Sequence, residues 1–254
     1  DEGLRELAAV NEQTDFAAEL EECLSENGKS FASASDLQVS AQLEQTRSSF
    51  RPDFVIPDGL ILEIGVAGAQ PRTGVTTQAF SLYHAFQSLG FATCIVDVRQ
   101  RLLPILMTLY GDEPEQKRSD TLLEAMVKIK GMDFVSNGQE AAPETDSRHV
   151  FLYDFGELNE EVSKRFGSCD YRILCAGAKP WELPLFAQKE EMYGKLLDMV
   201  LFSFASEQEK EMVQSIGLSY RTEYPPWNPD IWKCAEPDWY KKLLLPFLKE
   251  RFPS

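Results

Sequence analysis

Basic residues are scarce in this chain. Its 254 residues carry 25 Lys and Arg against 41 Asp and Glu, a formal net charge of −16. An extended surface for nucleic acid or anionic lipid needs clustered Lys and Arg, so no broad nucleic-acid surface is expected. Histidine is almost absent. His84 and His149 are far apart, and neither neighbours a Cys or carboxylate at metal-ligand spacing, so both read as structural or solvated rather than as a zinc site. The five cysteines, Cys23, Cys94, Cys169, Cys175 and Cys234, are odd in number and form no CxxC pair. That usage points to a reducing cytoplasm rather than a secreted disulfide framework. No run approaches the roughly 18 apolar residues that a membrane span requires. The GxSxG elbow and the ordered GxGxxG fingerprint are also missing, which removes the sequence hallmarks of an α/β-hydrolase and of a dinucleotide-binding enzyme.

The residues that are present suit a globular chain, with 43% hydrophobic and 11% aromatic. The acidity is concentrated early, residues 1–50 holding 11 acidic and 3 basic side chains. Residues 1–56 read as an acidic helical arm or linker, with a partner-binding surface as the functional alternative. Phe16, Leu20 and Leu24 recur at helical spacing, Gly28 and a Ser/Ala-rich stretch break the pattern, and Leu37, Val39 and Leu43 mark a second short helix. The chain opens Asp1-Glu2 without an initiating Met, as expected of a piece of a longer protein.

Residues 57–254 alternate apolar strands with helical stretches, the pattern of an α/β three-layer sandwich around a mostly parallel sheet. Strands are expected at Leu60–Ala67, Ala92–Asp97, Val150–Asp154, Tyr171–Cys175 and Met199–Phe204. Helices are expected at Thr76–Leu89, Arg101–Tyr110, Asp120–Lys130, Leu158–Phe166, Trp181–Leu197 and Glu207–Ser215, with a last one near Trp239–Lys249 bent or broken at Pro246. Residues 136–148, with Asn137-Gly138 and Pro143, read as an exposed turn or loop. The stretch Tyr224–Trp232, rich in Trp and Pro, reads as a packed tail, with an interface anchor as the alternative.

The most informative stretch is Ile61-Leu-Glu-Ile-Gly-Val-Ala-Gly-Ala-Gln-Pro-Arg-Thr-Gly-Val-Thr-Thr77, a strand that passes through a small-residue loop into a helix. Such an arrangement aims successive backbone N–H groups and a helix N-terminus at one anion. It resembles the deviant Walker A loop of the ParA/MinD-type P-loop ATPases, which reads KGGxGK followed by two Ser/Thr residues. Gly74-Val75-Thr76-Thr77 then stands at the family's GKTT, Gln70 at its signature lysine, Pro71 and Arg72 at its paired glycines, and Val75 at its general P-loop lysine. Gly68 falls one residue before the first glycine of the general pattern, where Ala69 stands. Cys94-Ile-Val-Asp97 resembles the strand that carries the family's Asp-x-Asp, with Arg99 replacing the second acid. Val150-Phe-Leu-Tyr-Asp154-Phe-Gly156 resembles its Walker B strand. Ser203 stands where many relatives carry an Asn that reads the base.

The resemblance implies a P-loop NTPase-like fold. It implies a nucleotide site at Gly68, Gln70, Arg72, Gly74, Val75, Thr76, Thr77 and Gly156, with Mg²⁺ on Thr76 and Asp154 if Mg-ATP binds. Asp97, Asp154 and Arg72 are the catalytic candidates. Further on, Gly177 and Lys179 are candidates for the mouth of the site, a solvated Lys179 being the plain alternative. Each acid also has a plain reading, as a cap for the following helix or a bond to a neighbouring loop. Val in place of Lys removes the cation that holds the β and γ phosphates, so the expected product of this sequence is a protein-interaction or positioning scaffold with no cofactor and little or no ATP hydrolysis. The alternative is a weak Mg-ATP-dependent switch. A protein partner is expected, and the family implies a homodimer.

Overall fold

The computed structural model describes residues 59–110, 126–135, 149–234 and 236–252. The expected arm at 1–56, its boundary with the following domain, and the expected loop at 136–148 lie outside the described residues. The elements run β1 (Ile61–Gly68), α1 (Val75–Ser88), β2 (Ala92–Asp97), α2 (Leu102–Tyr110), β3 (Met126–Ile129), β4 (Met132–Val135), β5 (His149–Glu157), α3 (Glu160–Gly167), β6 (Tyr171–Gly177), α4 (Leu183–Tyr193), β7 (Met199–Ser203), α5 (Glu207–Ser215), β8 (Arg221–Glu223) and α6 (Pro237–Arg251).

The strands form one 8-stranded sheet in the order β3-β4-β2-β5-β1-β6-β7-β8. Among the described residues only the edge pair β3/β4 is antiparallel. β1 sits inside the sheet between β5 and β6, paired in register Ile64↔Leu152 on one side and Ile64↔Tyr171 on the other. Helices cover both faces, the solution for strands apolar on both sides. One face buries Leu62, Ile64 and Val66 against Phe80, Leu82 and Phe86 of α1 and Tyr240, Leu244 and Leu248 of α6. The other buries Ala67, Leu174, Val200 and Phe202 beneath Val162 and Phe166 of α3, Phe186 of α4 and Val213 of α5. Odd and even positions of each strand thus feed opposite layers, and the fold is the three-layer α/β sandwich with a mostly parallel sheet.

The stripe Ala79, Leu82, Tyr83, Phe86 and Leu89 is buried, with no residue more than 5% exposed. The expectation of helix over Asp120–Lys130 is overturned in its described part. Met126–Ile129 and Met132–Val135 form an antiparallel hairpin. The turn residues Lys130 and Gly131 both have left-handed backbone, φ 48° and 81°, which matches strand twist in a two-residue hairpin loop. Val127, Ile129, Phe134 and Val135 supply the β-favouring side chains, and period two wins over the helical spacing. β8 escaped sequence reading because Arg221-Thr-Glu223 has no apolar residue to mark it; it pairs with β7 at the sheet edge. The break that was one expectation for the last helix is not found: α6 runs from Pro237 to Arg251 with Pro246 inside it, Tyr240, Leu243, Leu244 and Leu248 being held in the core on either side of the proline.

Candidate functional site

β1 delivers the chain to the C-terminal edge of the sheet, and the loop between Gly68 and Val75 is pinned there from both neighbouring strands. Leu158 N donates to Gly68 O (2.8 Å) and Ala69 N donates to Cys175 O (2.8 Å). Inside the loop, the Thr73 hydroxyl donates to Gln70 O (3.0 Å). Gly68 is required by this closure, since a Cβ there would stand 2.7 Å from Thr73 Oγ1 and 2.9 Å from Gln70 O. Gly74, which precedes α1, has φ 87°, a left-handed conformation that glycine adopts without steric cost. Gly74 O then accepts the first helical bond, from Gln78 N (2.9 Å).

Gln70, Arg72, Gly74, Val75, Thr76, Thr77 and Gly156 line a single cleft of about 380 Å³, together with Pro71, Glu157 and Phe204. Gly68 lies beneath the loop and Asp154 beneath Thr76. The Thr76 hydroxyl donates to Asp154 Oδ2 (2.7 Å), and Asp154 Oδ1 accepts from Gly156 N (2.9 Å). Asp154 is buried, and that burial pushes its carboxyl above the usual range. The Thr76 and Gly156 hydrogen bonds oppose the shift, neighbouring Asp97 adds to it, and Arg99 opposes it. Asp97 is the register partner of Asp154 on the adjacent strand. Its Oδ2 accepts from Leu103 N (2.9 Å), the bond of a residue capping the first turn of the next helix.

Val75 is buried at 8% exposure and packs into the core layer under α1. Arg72 is exposed, with left-handed backbone at φ 65°. It is the single cation between Gly68 and Thr77. Arg99 faces β5, its guanidinium donating to Phe155 O (2.9 Å) and Glu157 O (2.6 Å). Lys179 turns away from the cleft, its ammonium 2.8 Å from Glu209 at the start of α5. Gly177 is likewise not a lining residue, being covered by the Glu182 side chain.

Three contributors were not legible in the sequence. Glu182 accepts from Gln70 Nε2 (3.0 Å) and from Lys179 N (3.0 Å), tying the loop to the start of α4. The Gln70 partner lies 112 residues away, so no local pattern marks it. Phe204 lines the cleft because it follows the end of β7. Glu157 reaches the cleft because β5 extends past Asp154, and it pairs with Lys189 at 3.0 Å. Among the described residues, no cluster of three or more His, Cys, Asp or Glu is arranged to hold a metal.

No protein-family model matches this sequence, and no curated protein sequence does either. Solved structures do match. A plasmid partition protein from Borrelia burgdorferi bound to AMPPNP is 12% identical, with 75% of this chain and 99% of that one covered and a TM-score of 0.55. A cobyrinic acid a,c-diamide synthase from Mycobacterium smegmatis, bound to ADP and magnesium, is 15% identical, with 77% and 99% covered and a TM-score of 0.53. The fold is that of the ParA/MinD-type P-loop NTPases. In this ParA/MinD-type fold the Gly68–Thr77 loop leaves the inner strand β1, at the sheet edge where ligands of open α/β sheets bind. Among the described residues, no helix is long and apolar enough to cross a membrane.

Proposed function

We propose that this ParA/MinD-like domain works as a protein-interaction or positioning scaffold with little or no ATP hydrolysis. The observation that carries the reading is Val75. At the position that the resemblance gives to the phosphate-holding lysine, a branched apolar side chain is buried in the core. Phosphoryl transfer depends on cations placed against the transferring group. The loop's one cation, Arg72, is exposed, and Arg99 is committed to carbonyl oxygens. Pro71 adds a second deficit, since it has no N–H to offer an anion. The exposed apolar side chains support an interaction role: Ile105, Leu109 and Tyr110 on α2, and Trp181, Leu185 and Met192 on or beside α4.

The second reading, a weak Mg-ATP switch, rests on the pair Thr76 and Asp154. A hydroxyl and a carboxylate 2.7 Å apart fit the oxygen donors that Mg²⁺ prefers. The loop charge does not fit phosphoryl transfer, so no hydrolytic step is assigned. Phosphate release and calorimetry with Mg-ATP, Mg-ADP and Mg-GTP separate the two readings. The scaffold reading expects release no faster than the protein-free blank. Turnover that disappears in Thr76→Ala would establish the switch.

A further inference from the structure

The helix α2 has no charged residue, yet only Leu103 and Leu106 of its 9 residues are buried. Ile105 and Leu109 are each 57% exposed, and four residues apart they share one face of the helix. Thr108 is exposed too, but its hydroxyl donates to Pro104 O (2.9 Å) and is satisfied within the helix. The first turn is held by Asp97, whose Oδ2 accepts from Leu103 N (2.9 Å). At the other end, exposed Tyr110 packs its ring edge-on against Trp232, centroids 5.1 Å apart, and the Lys130 ammonium sits 4.5 Å over the Tyr110 ring. A helix fixed at both ends thus keeps an outward apolar face in water, the mark of an interaction surface.

We propose that the outward face of α2 docks a segment of a partner protein that is apolar along one side and acidic at both ends. The charges around the face select this occupant. Exposed Arg101 immediately precedes α2 and exposed Lys130 stands at its end, so two bases bracket an apolar stretch of about 13 Å. Lys128 on the neighbouring strand is balanced by Asp133 at 3.7 Å. A helical partner therefore carries its acids roughly nine residues apart, with apolar residues at helical spacing between them. A second copy placed face to face would set Arg101 and Lys130 against bases, whether the two helices ran parallel or antiparallel. An anionic membrane is disfavoured because a chain of net charge −16 meets it with two bracketing bases rather than a basic cluster. The exposed side of α4 makes no such selection, since its apolar residues are mixed with Lys189, Glu190 and Glu191. This inference rests on the scaffold reading for the existence of a partner: phosphate release decides that reading, and peptide binding decides this one.

The experiment titrates the full chain, by calorimetry and fluorescence anisotropy, with a labelled helical peptide of about 16 residues, Leu at every third or fourth position and Glu at both ends. Two control peptides replace Glu by Lys or Leu by Ser, and vesicles of mixed phosphatidylcholine and phosphatidylglycerol form the last arm. The Glu/Leu peptide should bind at micromolar concentration and each control about tenfold more weakly or not at all. The double variant Ile105→Ser with Leu109→Ser should weaken it by about tenfold, and Arg101→Glu by about threefold with a flatter salt dependence. All three side chains are exposed, so neither variant removes core packing, and matching circular dichroism confirms the fold. No binding of the Glu/Leu peptide at millimolar concentration would overturn the proposal, as would binding of the Lys/Leu peptide as tight as that of the Glu/Leu peptide, or affinity unchanged in the double variant. Vesicle binding lost in the double variant would make the face a membrane surface and overturn it equally.

Discussion

Asp154 concentrates the electrostatics of the site in one side chain. Its oxygens are shared between the Thr76 hydroxyl and the Gly156 N–H, and burial, the largest cause, holds its pKa above the ordinary carboxylate value. A carboxyl with a raised folded pKa binds its proton more tightly in the native state. Its contribution to stability is therefore complete below the unfolded pKa and is lost as pH rises through the folded one. Asp154→Asn can keep both hydrogen bonds, its oxygen accepting from Gly156 and its nitrogen donating to Thr76. Urea titrations should find that variant at least as stable as the wild type near about pH 7, with the wild type gaining on it as pH falls toward about 4. Asp154→Ala leaves the Gly156 N–H and the Thr76 hydroxyl unpartnered and should cost about 1 to 3 kcal/mol at neutral pH. A stability difference between wild type and Asp154→Asn that did not change with pH would show an unperturbed carboxyl.

At the level of elements, the strongest sequence signals were those with a single competing reading. Ala92–Asp97 and Glu207–Ser215 have the expected bounds, the second because Ser206 and Glu209 form a capping box that fixes where α5 starts. The β3/β4 hairpin was misread because its strands are four residues each, too short for period two to stand out from a helical stripe. Pro246 does not break the last helix, because the apolar residues on either side of it hold α6 in the core. Pro246 is itself exposed, and its ring denies Lys242 O a partner. Pro246→Ala should restore that bond without loss of packing and raise stability by about 1 to 3 kcal/mol, visible as a higher melting temperature. An unchanged or lower melting temperature would mean that the proline is accommodated without cost.

For the whole molecule, a scaffold and a nucleotide switch differ in what nucleotide does to assembly. The scaffold reading expects light scattering to give the same molar mass with and without Mg-ATP, and Asp154→Asn to keep any partner that the wild type binds. A monomer converted to dimer by Mg-ATP, and left monomeric in Thr76→Ala, would favour the switch. The charge of −16 bears on this experiment, because like-charged copies repel and added salt weakens the repulsion. Mass should therefore be measured at more than one ionic strength, so that a screening effect is not taken for a nucleotide effect.

The sequence alone determined the sheet-and-helix alternation, because strands buried on both faces must be continuously apolar and the helix that follows β1 must carry an apolar stripe. It also determined the outline of the loop, since Gly68, Gly74 and the Thr76-Thr77 pair are local features read within ten residues. Only the tertiary structure decided which partners that loop has. Gln70 meets Glu182, Thr76 meets Asp154, and Phe204 meets Trp227, through contacts between residues far apart along the chain or set by where a strand ends. Burial is equally non-local: Val75 reads as a missing lysine in the sequence, and the core packed around it shows where its side chain goes instead.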